Sequence, residues 1–347
     1  MQTLGSSSQS QQRIHRTLYR FGSLEAGHFG HVALHEDGRV TSYVHPNEHG
    51  YVISGGELRF LNAAGETTNT LRHYPDANVF LSSSMPGLYL MPVVTLDQPA
   101  GNTSLKPLLV NSIPKSGTYF LEAAMAWLGA RPLRLHLAPF FCHDYRGVAE
   151  ENLHRSPDGF AVPAPTGGVA HLMRPGDLAV GHVDDHGQLD EAVRAGVTVL
   201  HVIRNLRDVL ASLYAFKIAK VQPISAADAA WRGLPPEPGF IAFLCQFESL
   251  DIAHIINMAN VILERREPVL RYEDAVRGIV PPGSPVPGLD AALRATCGQP
   301  TSTLSQRDRS ASLWSPAAEA FFAASGLRAL NERLGYEPGF SLRHAAE

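Results

Sequence analysis

The sequence has few of the features that would place a protein in a membrane or a secretory compartment. None of its apolar runs approaches the ~18 residues that a membrane-spanning helix needs, and its N-terminus has no apolar signal core. The three cysteines, Cys142, Cys245 and Cys297, are odd in number and widely spaced. Neither a disulfide framework nor a zinc site is therefore predicted, and a cytoplasmic protein is expected.

Strong charge of either sign is also missing. The chain has 29 Lys and Arg against 33 Asp and Glu, a formal net charge of -4. A surface of this kind does not coat a polyanion, so no nucleic-acid partner is expected and any anion site must be local. Apolar residues make up 44% of the 347 residues, which is typical of a soluble globular chain long enough for two domains.

The first part of the chain is rich in strand signals. Short β-prone runs separated by turn residues predict a β-rich accessory domain over residues 18–97, preceded by a disordered N-terminus over 1–17. Asp37-Gly38 lies between two such runs and predicts a hairpin with a two-residue turn, because both central positions of that turn need positive φ. Ala64-Gly65 predicts a second hairpin.

A linker-like stretch, "LDQPAGNTSLK", then separates this part from a different pattern. Over residues 106–340, buried strands alternate with helices, which predicts an α/β fold: a central parallel sheet flanked by helices in three α/β/α layers. Ligands of such sheets bind at the carboxyl ends of the strands. The apolar spacing predicts one long helix over 239–264, and the proline-rich stretch 221–239 is expected to be a surface loop.

The stretch "LLVNSIPKSGTYFL" resembles a phosphate-binding loop with its order changed. A Walker loop ends in Gly-Lys-Ser/Thr, whereas here Lys115 comes first and is followed by Ser116, Gly117 and Thr118. A strand, a tight turn and a helix N-terminus gather backbone N–H groups around one point, which attracts an anion. The alternative is an ordinary helix N-terminus with a solvated lysine.

A second stretch, "VTVLHVIRNLRDVLASLY", adds a guanidinium to the same crevice. An apolar strand ends at Arg204, and Ser212 lies in the helix that follows. Since carboxyl ends of parallel strands share one edge of a sheet, Arg204 is predicted to point towards the Lys115 loop, where it can bind a phosphate bidentately. The alternative is a pair of surface arginines bound to Asp208, which fits Arg207 better than Arg204.

These two motifs, about 85 residues apart, resemble those of sulfotransferases that use 3′-phosphoadenosine 5′-phosphosulfate (PAPS), and the resemblance covers residues 108–337. It implies a P-loop-like fold and a donor that needs no metal. It also implies that Arg204 and Ser212 bind the 3′-phosphate, and that Phe120 and Tyr272 contact the adenine, with Phe120 where the family usually has tryptophan. The remaining donor-binding residues that it implies are Lys115, Ser116, Gly117, Thr118 and Tyr119 around the phosphosulfate loop, and Arg307 or Arg309 in "QRDRSASLWSP", where the family's glycines are missing.

Sulfuryl transfer to a hydroxyl needs a cation at the leaving phosphate and a base for the acceptor proton. Lys115 is the predicted cation. His182, which ends a predicted strand in "GDLAVGHVDDHG", resembles the family's histidine base; His186 and Asp184 are the alternatives, with Asp185 beside them.

The sequence thus predicts a sulfotransferase that moves the sulfuryl group of PAPS to a carbohydrate or a small-molecule alcohol by direct in-line attack. One alternative is a P-loop-type small-molecule kinase, which the missing Gly-Lys-Ser/Thr order disfavours. The other is a non-catalytic glycan-binding protein with a vestigial donor site. The sequence does not indicate an oligomeric state.

Overall fold

The computed structural model describes residues 12–97, 101–149, 152–246, 250–299 and 310–336. It has a mixed α/β fold built on two sheets, which confirms the α/β class, while the closed first sheet differs from the predicted layout. The first sheet is antiparallel and takes up the first eight strands; the second is largely parallel and takes up the following seven. Within the described ranges, no helix is both long and apolar enough to cross a bilayer.

The first sheet has the strand order β3-β2-β1-β8-β7-β6-β5-β4. Its two edges meet, since Arg39 bridges to Gly50 and the Tyr51 N–H donates to the Gly38 oxygen at 2.8 Å. The sheet therefore closes around its own apolar core. The sequence predicts a β-rich region here but not its closure. Its strands are β1 (Thr17–Ser23), β2 (Gly27–Leu34), β3 (Val40–Thr41), β4 (Gly50–Ser54), β5 (Glu57–Leu61), β6 (Thr67–Tyr74), β7 (Val79–Ser82) and β8 (Leu88–Thr95).

The hairpin predicted at Asp37-Gly38 is present, but its turn is longer than two residues. The last ladder pair is Leu34 with Val40, and the His35 N–H donates to the Arg39 oxygen at 3.0 Å. Three residues therefore form the loop, and Gly38 takes the left-handed conformation at φ 86° that such a loop requires.

Residues 14–17, part of the segment predicted to be disordered, are packed. Ile14 is buried in the core of the first sheet. Arg16 forms a buried ion pair with Asp177 of the second sheet, with Nη1 3.1 Å from the carboxylate. Leu18 and Val94 share an apolar cluster with Leu109. The two sheets are thus joined by a common core and a buried charge pair.

The second sheet has the order β12-β11-β10-β13-β9-β14-β15. The five strands from β10 to β15 in this order run parallel, while β11 and β12 add an antiparallel edge. The strands are β9 (Leu108–Ser112), β10 (Arg131–Leu137), β11 (Cys142–Asp144), β12 (Ala161–Val162), β13 (Asp177–Gly181), β14 (Thr198–Ile203) and β15 (Val269–Arg271).

Helices cover both faces of this sheet. Leu108 and Val110 of β9 pack on one side with Leu121, while Leu109 packs on the other with Leu189, as the alternation of a fully buried strand requires. The helices are α1 (Thr118–Trp127), α2 (Thr166–Ala170), α3 (His186–Arg194), α4 (Leu206–Lys220), α5 (Ala226–Arg232), α6 (Pro236–Cys245), α7 (Leu250–Glu264), α8 (Tyr272–Ala275), α9 (Leu289–Thr296), α10 (Ser310–Leu313), α11 (Pro316–Ala324) and α12 (Leu327–Arg333).

Two predicted elements differ from the structure. The long helix expected over 239–264 is two helices, because α6 ends at Cys245 and α7 starts at Leu250. The proline-rich stretch expected to be a loop contains α5, whose first turn is capped by Ser225. In both cases apolar residues such as Trp231 and Phe243 pack on α4, and tertiary packing overrides the local pattern.

Candidate active site

The site lies at the point in the parallel sheet where the order of strand addition changes side. From the central strand β9 the chain runs first to β10 on one side, and later to β14 and β15 on the other. A crevice opens at the carboxyl ends of strands at such a switch point. The Lys115 loop follows β9 and Arg204 follows β14; these strands are neighbours, with Val202 paired to Ser112 at their ends.

The loop between β9 and α1 contains two residues in the left-handed conformation, Lys115 at φ 68° and Gly117 at φ 91°. Helix α1 begins at Thr118, and no side chain of the described residues caps it. The first N–H groups of a helix have no acceptor within the helix, so they are available to an anion. Gly117 also lies against Tyr272, because a Cβ at this position would be 2.5 Å from Cδ2 of that ring.

The Lys115 side chain is partly buried against an aromatic ring. Its Nζ lies 3.8 Å from the centre of the Phe216 ring. Burial, and after it repulsion from the Arg204 guanidinium, lowers the pKa of Lys115 from 10.5 to about 7. Lys115 is therefore only partly charged at neutral pH and poorly solvated. An approaching anion would stabilise its charged form and raise its pKa.

Arg204 contacts the lysine loop directly. Its Nη1 donates to the Lys115 backbone oxygen at 3.1 Å, and its guanidinium carbon lies 4.6 Å from the centre of the Tyr272 ring. Its Nε is buried and has no hydrogen-bond partner among the described residues. The turn behind it is fixed by Glu273, whose carboxylate accepts from the Asn205 N–H at 3.2 Å and from the Tyr336 hydroxyl at 2.7 Å. The Nε–H of Arg204 is thus available to bind a ligand.

The two hydroxyl residues of the loop differ in their partners. Ser116 is fully buried, and its Oγ has no hydrogen-bond partner within the described ranges. The Thr118 hydroxyl is paired with Ser112 Oγ at 2.6 Å. Since an unpaired buried hydroxyl costs about 1–3 kcal/mol, Ser116 Oγ is the hydroxyl here that a ligand oxygen would satisfy.

Helix α4 carries three further side chains on the face that meets the loop. Asp208, Ser212 and Phe216 are four residues apart and share one face, and Phe216 on that face contacts Lys115. Ser212 is half-buried. Burial raises the pKa of Asp208 even though Arg204 and Arg207 act to lower it. Arg207 is not paired with Asp208, contrary to the alternative drawn from the sequence, but forms an ion pair with Glu319.

The aromatic residues of the loop lie in two groups. Phe120 meets Tyr272 edge to face at 6.4 Å between ring centres, next to Arg204. Tyr119 instead contacts a group of histidines: its hydroxyl is 3.4 Å from His136 Nδ1, and its ring is 5.5 Å from that of His154. Phe120 and Tyr272 are therefore neighbours, whereas Tyr119 contacts His136 and His154.

His182 follows β13 and points to the end of β9. Its Nδ1 donates to the Ser112 backbone oxygen at 2.6 Å, which leaves Nε2 with a lone pair. Its ring centre is 4.4 Å from that of His136. Burial and the neighbouring His254 lower the pKa of His182 to about 3, against the effect of the bond to Ser112. His182 is thus neutral at physiological pH.

The alternatives to His182 are placed differently. Asp184 is 3.0 Å from His254 Nδ1. Asp185 caps α3 by accepting from the Gln188 N–H. His186 is exposed and pairs with Glu264 at 3.2 Å, so its contacts are away from the Lys115 loop.

Sequence reasoning missed three residues of the site: Phe216, His136 and His254. Phe216 shares a helical face with Ser212, and this spacing is a signal that could have pointed to it. His254 lies 70 residues after Asp184 and has no local signal. Arg307 and Arg309 lie outside the described residues. In the part of the chain that the structure describes, no group of three or more His, Cys, Asp or Glu is placed to hold a metal ion.

Comparison with known proteins adds little to this geometry. No family model matches the chain, and no curated protein is significantly similar to it. Among solved structures, mouse sulfotransferase SULT7A1 complexed with PAP is similar to this chain at 12% sequence identity and a TM-score of 0.36, over 77% of this chain and 99% of that one. A likeness of this size decides neither fold nor activity.

Proposed function

We propose that this protein is a sulfotransferase of P-loop-like fold that uses PAPS as donor and a hydroxyl compound as acceptor. The observation that carries the proposal is the hydrogen bond from Arg204 Nη1 to the Lys115 backbone oxygen at 3.1 Å, which holds two cations that follow neighbouring strands at one crevice. Around them, Ser116 Oγ and Arg204 Nε are buried donors without partners in the described chain. These are the groups that an adenosine ligand with two phosphate ends would satisfy.

The donor-binding roles follow from this placement. Lys115, Ser116, Gly117 and Thr118 would bind the 5′-phosphosulfate together with the first N–H groups of α1. Arg204 and Ser212 would bind the 3′-phosphate, with Arg307 or Arg309 as further candidates. Phe120 and Tyr272 would hold the adenine between an edge and a face. Tyr119 is proposed for the acceptor side, since its contacts are with histidines.

The reaction is a direct displacement. The acceptor oxygen forms a bond to sulfur while the bond from sulfur to the bridging phosphate oxygen breaks, and the electron pair stays on that oxygen. Lys115 meets the charge that develops there, in a setting that solvates it poorly. The acceptor proton passes to an imidazole at the end of β13, with His182 as the residue assigned from the sequence. No step uses a metal ion.

Titration calorimetry with adenosine 3′,5′-bisphosphate tests the donor site, with Lys115→Ala, Arg204→Ala and the exposed Lys106→Ala as matched control. We expect the first two variants to lose affinity and the control to bind like the wild type. Transfer from ³⁵S-labelled PAPS to a panel of phenols, alcohols and glycans tests the activity. Stabilisation by ATP with magnesium but not by the bisphosphate would support a kinase instead, and donor binding without turnover would support a non-catalytic protein.

A further inference from the structure

A histidine–aspartate pair lies beside the predicted base. Helix α7 brings His254 to the carboxyl end of β13, where its Nδ1 is 3.0 Å from Asp184 Oδ2. The centre of its ring is 6.3 Å from that of His182, and the two planes are inclined by 71°. The side chains of His254 and Asp184 remain 28% and 16% exposed, so the pair is accessible from solvent.

The carboxylate of this pair is held in place and ionised. Burial acts to raise the pKa of Asp184, but hydrogen bonds from His254 and from Asn257, one helical turn further along α7, lower it overall. An ionised carboxylate can only accept, so His254 carries its proton on Nδ1 and presents the Nε2 lone pair. This is the arrangement in which a carboxylate orients an imidazole and stabilises the imidazolium that forms when it takes a proton.

His182 has a weaker claim to that proton. Its Nδ1 partner is the neutral backbone oxygen of Ser112, which offers an imidazolium little compensation. The groups that face it are other imidazoles, His136, His143 and His254, and the Lys115 ammonium, all of which oppose a positive charge on His182. A base with a pKa of about 3 removes a proton poorly at neutral pH.

We propose that His254, oriented by Asp184, takes the proton of the acceptor hydroxyl at Nε2. The assignment rests on the proposed sulfotransferase reaction. As the acceptor oxygen bonds to sulfur, its proton moves to His254 Nε2, the electron pair of the broken bond goes to the phosphate oxygen beside Lys115, and Asp184 remains ionised. His254 is the catalytic base and Asp184 is a positioning residue.

The test measures release of adenosine 3′,5′-bisphosphate from PAPS, with water as the acceptor. His254→Gln should slow release about 10²-fold, as loss of a general base does. Asp184→Asn should slow it about tenfold, and the double variant should be no slower than His254→Gln, because Asp184 acts through His254. His182→Gln should slow bisphosphate release less than His254→Gln does. The exposed His49→Gln and Asp76→Asn are matched controls and should release the bisphosphate at the wild-type rate.

Two further measurements separate catalysis from folding. Calorimetric affinity for the bisphosphate and the melting temperature should be unchanged in the glutamine variants. Long-range ¹H–¹⁵N spectra should show His254 as the Nδ1–H tautomer in the wild type and as a tautomer mixture in Asp184→Asn, which a purely structural carboxylate elsewhere would not produce.

Several outcomes overturn the assignment. If the release rate of His182→Gln is about 10²-fold below that of the wild type while the rate of His254→Gln stays within about threefold of it, His182 is the base. If Asp184→Asn slows the His254→Gln variant further, the two residues do not act as a pair. Failure of the wild type to bind or cleave PAPS overturns the proposed function and this assignment together, whereas wild-type cleavage with an undiminished His254→Gln overturns the assignment alone.

Discussion

Arg204 donates from Nη1 to the backbone oxygen of Lys115 at 3.1 Å. This bond joins the end of β14 to the loop after β9, so the two cations of the site are held at a fixed separation before any ligand arrives. Lys115 keeps its ammonium against Phe216, and Arg204 keeps its guanidinium against Tyr272. Two cations that repel each other and are shielded from water form a preorganised site for an anion.

Ligand binding should depend on pH through Lys115. Its pKa of about 7 in the free protein lies below the ordinary 10.5, and a bound phosphosulfate raises it again by opposing charge. At a pH between the pKa of the free protein and that of the complex, ligand binding is accompanied by uptake of a proton on Lys115. Affinity for adenosine 3′,5′-bisphosphate should therefore fall by up to about tenfold per pH unit above neutrality. Calorimetry in buffers of different ionisation enthalpy measures this uptake. Lys115→Arg should abolish it, because arginine stays charged.

The same group sets a pH dependence of stability. Because the pKa of Lys115 is depressed in the folded state, its contribution to stability is present above the unfolded value of 10.5 and is lost as pH falls towards about 7. Lys115→Met should therefore gain stability relative to the wild type as pH is lowered from 10 to 7, measured as the difference in urea midpoints. A constant difference across this range would contradict the buried position of the ammonium.

Gly117 should resist replacement for two separate reasons. Alanine at φ 91° costs about 1–2 kcal/mol for the left-handed conformation. Its Cβ would also meet Tyr272 at 2.5 Å. Gly147→Ala is the matched control, since its φ is 74° and no atom of the described residues lies within 4 Å of the added Cβ. We expect Gly117→Ala to lose more stability than Gly147→Ala in chemical denaturation. Equal losses would mean that Tyr272 is free to move away.

Arg204 should discriminate between nucleotides with and without a 3′-phosphate. Arg204→Lys should weaken binding of adenosine 3′,5′-bisphosphate by about ten- to a hundredfold, because a charged hydrogen bond is lost and lysine lacks the planar fork. Binding of adenosine 5′-phosphate, measured by the same calorimetry, should change much less. If both ligands lose affinity equally, Arg204 acts on the loop conformation through its bond to the Lys115 oxygen and not on the 3′-phosphate.

The ion pair between the two sheets should be important for stability. Asp177 is fully buried and accepts from Arg16 at 3.1 Å, and it also pairs with Arg131. Asp177→Asn removes the charge opposite a buried guanidinium and should cost about 3–5 kcal/mol in the free energy of unfolding. Glu57→Gln, which removes an exposed partner of Arg59, should cost at most about 1 kcal/mol. Similar losses in the two variants would argue against the buried pairing.

Local sequence was sufficient to predict the strand, turn and helix around Lys115. The apolar run of β9 ends at a turn whose glycine has positive φ, and a helix of apolar spacing follows. It also predicted the strand that ends before Arg204. These elements depend on short-range spacing and on backbone preference, which a single sequence contains. Because parallel strands end at one edge of the sheet, the proximity of Lys115 and Arg204 followed from the same reasoning.

Where the sequence was misleading, distant partners decide the structure. The apolar spacing over 239–264 continues through the break between α6 and α7, so the pattern alone gave one helix. The turn at Asp37-Gly38 is longer than its sequence signal implies, with Gly38 also accepting from the Tyr51 N–H as the edges of the first sheet meet. Packing between remote elements is stronger than the local preferences that it overrides.

The sequence by itself determined an α/β chain with a lysine loop and an arginine at neighbouring strand ends, since hydrophobic period and turn chemistry are local properties. Only the tertiary structure decided that Phe216 covers the Lys115 ammonium, that Asp184 is paired with His254 and that Arg16 joins the sheets through Asp177. Each of these contacts joins elements far apart in the chain. Their burial, and with it the charge state of Lys115 and His182, depends on surroundings that no local pattern contains.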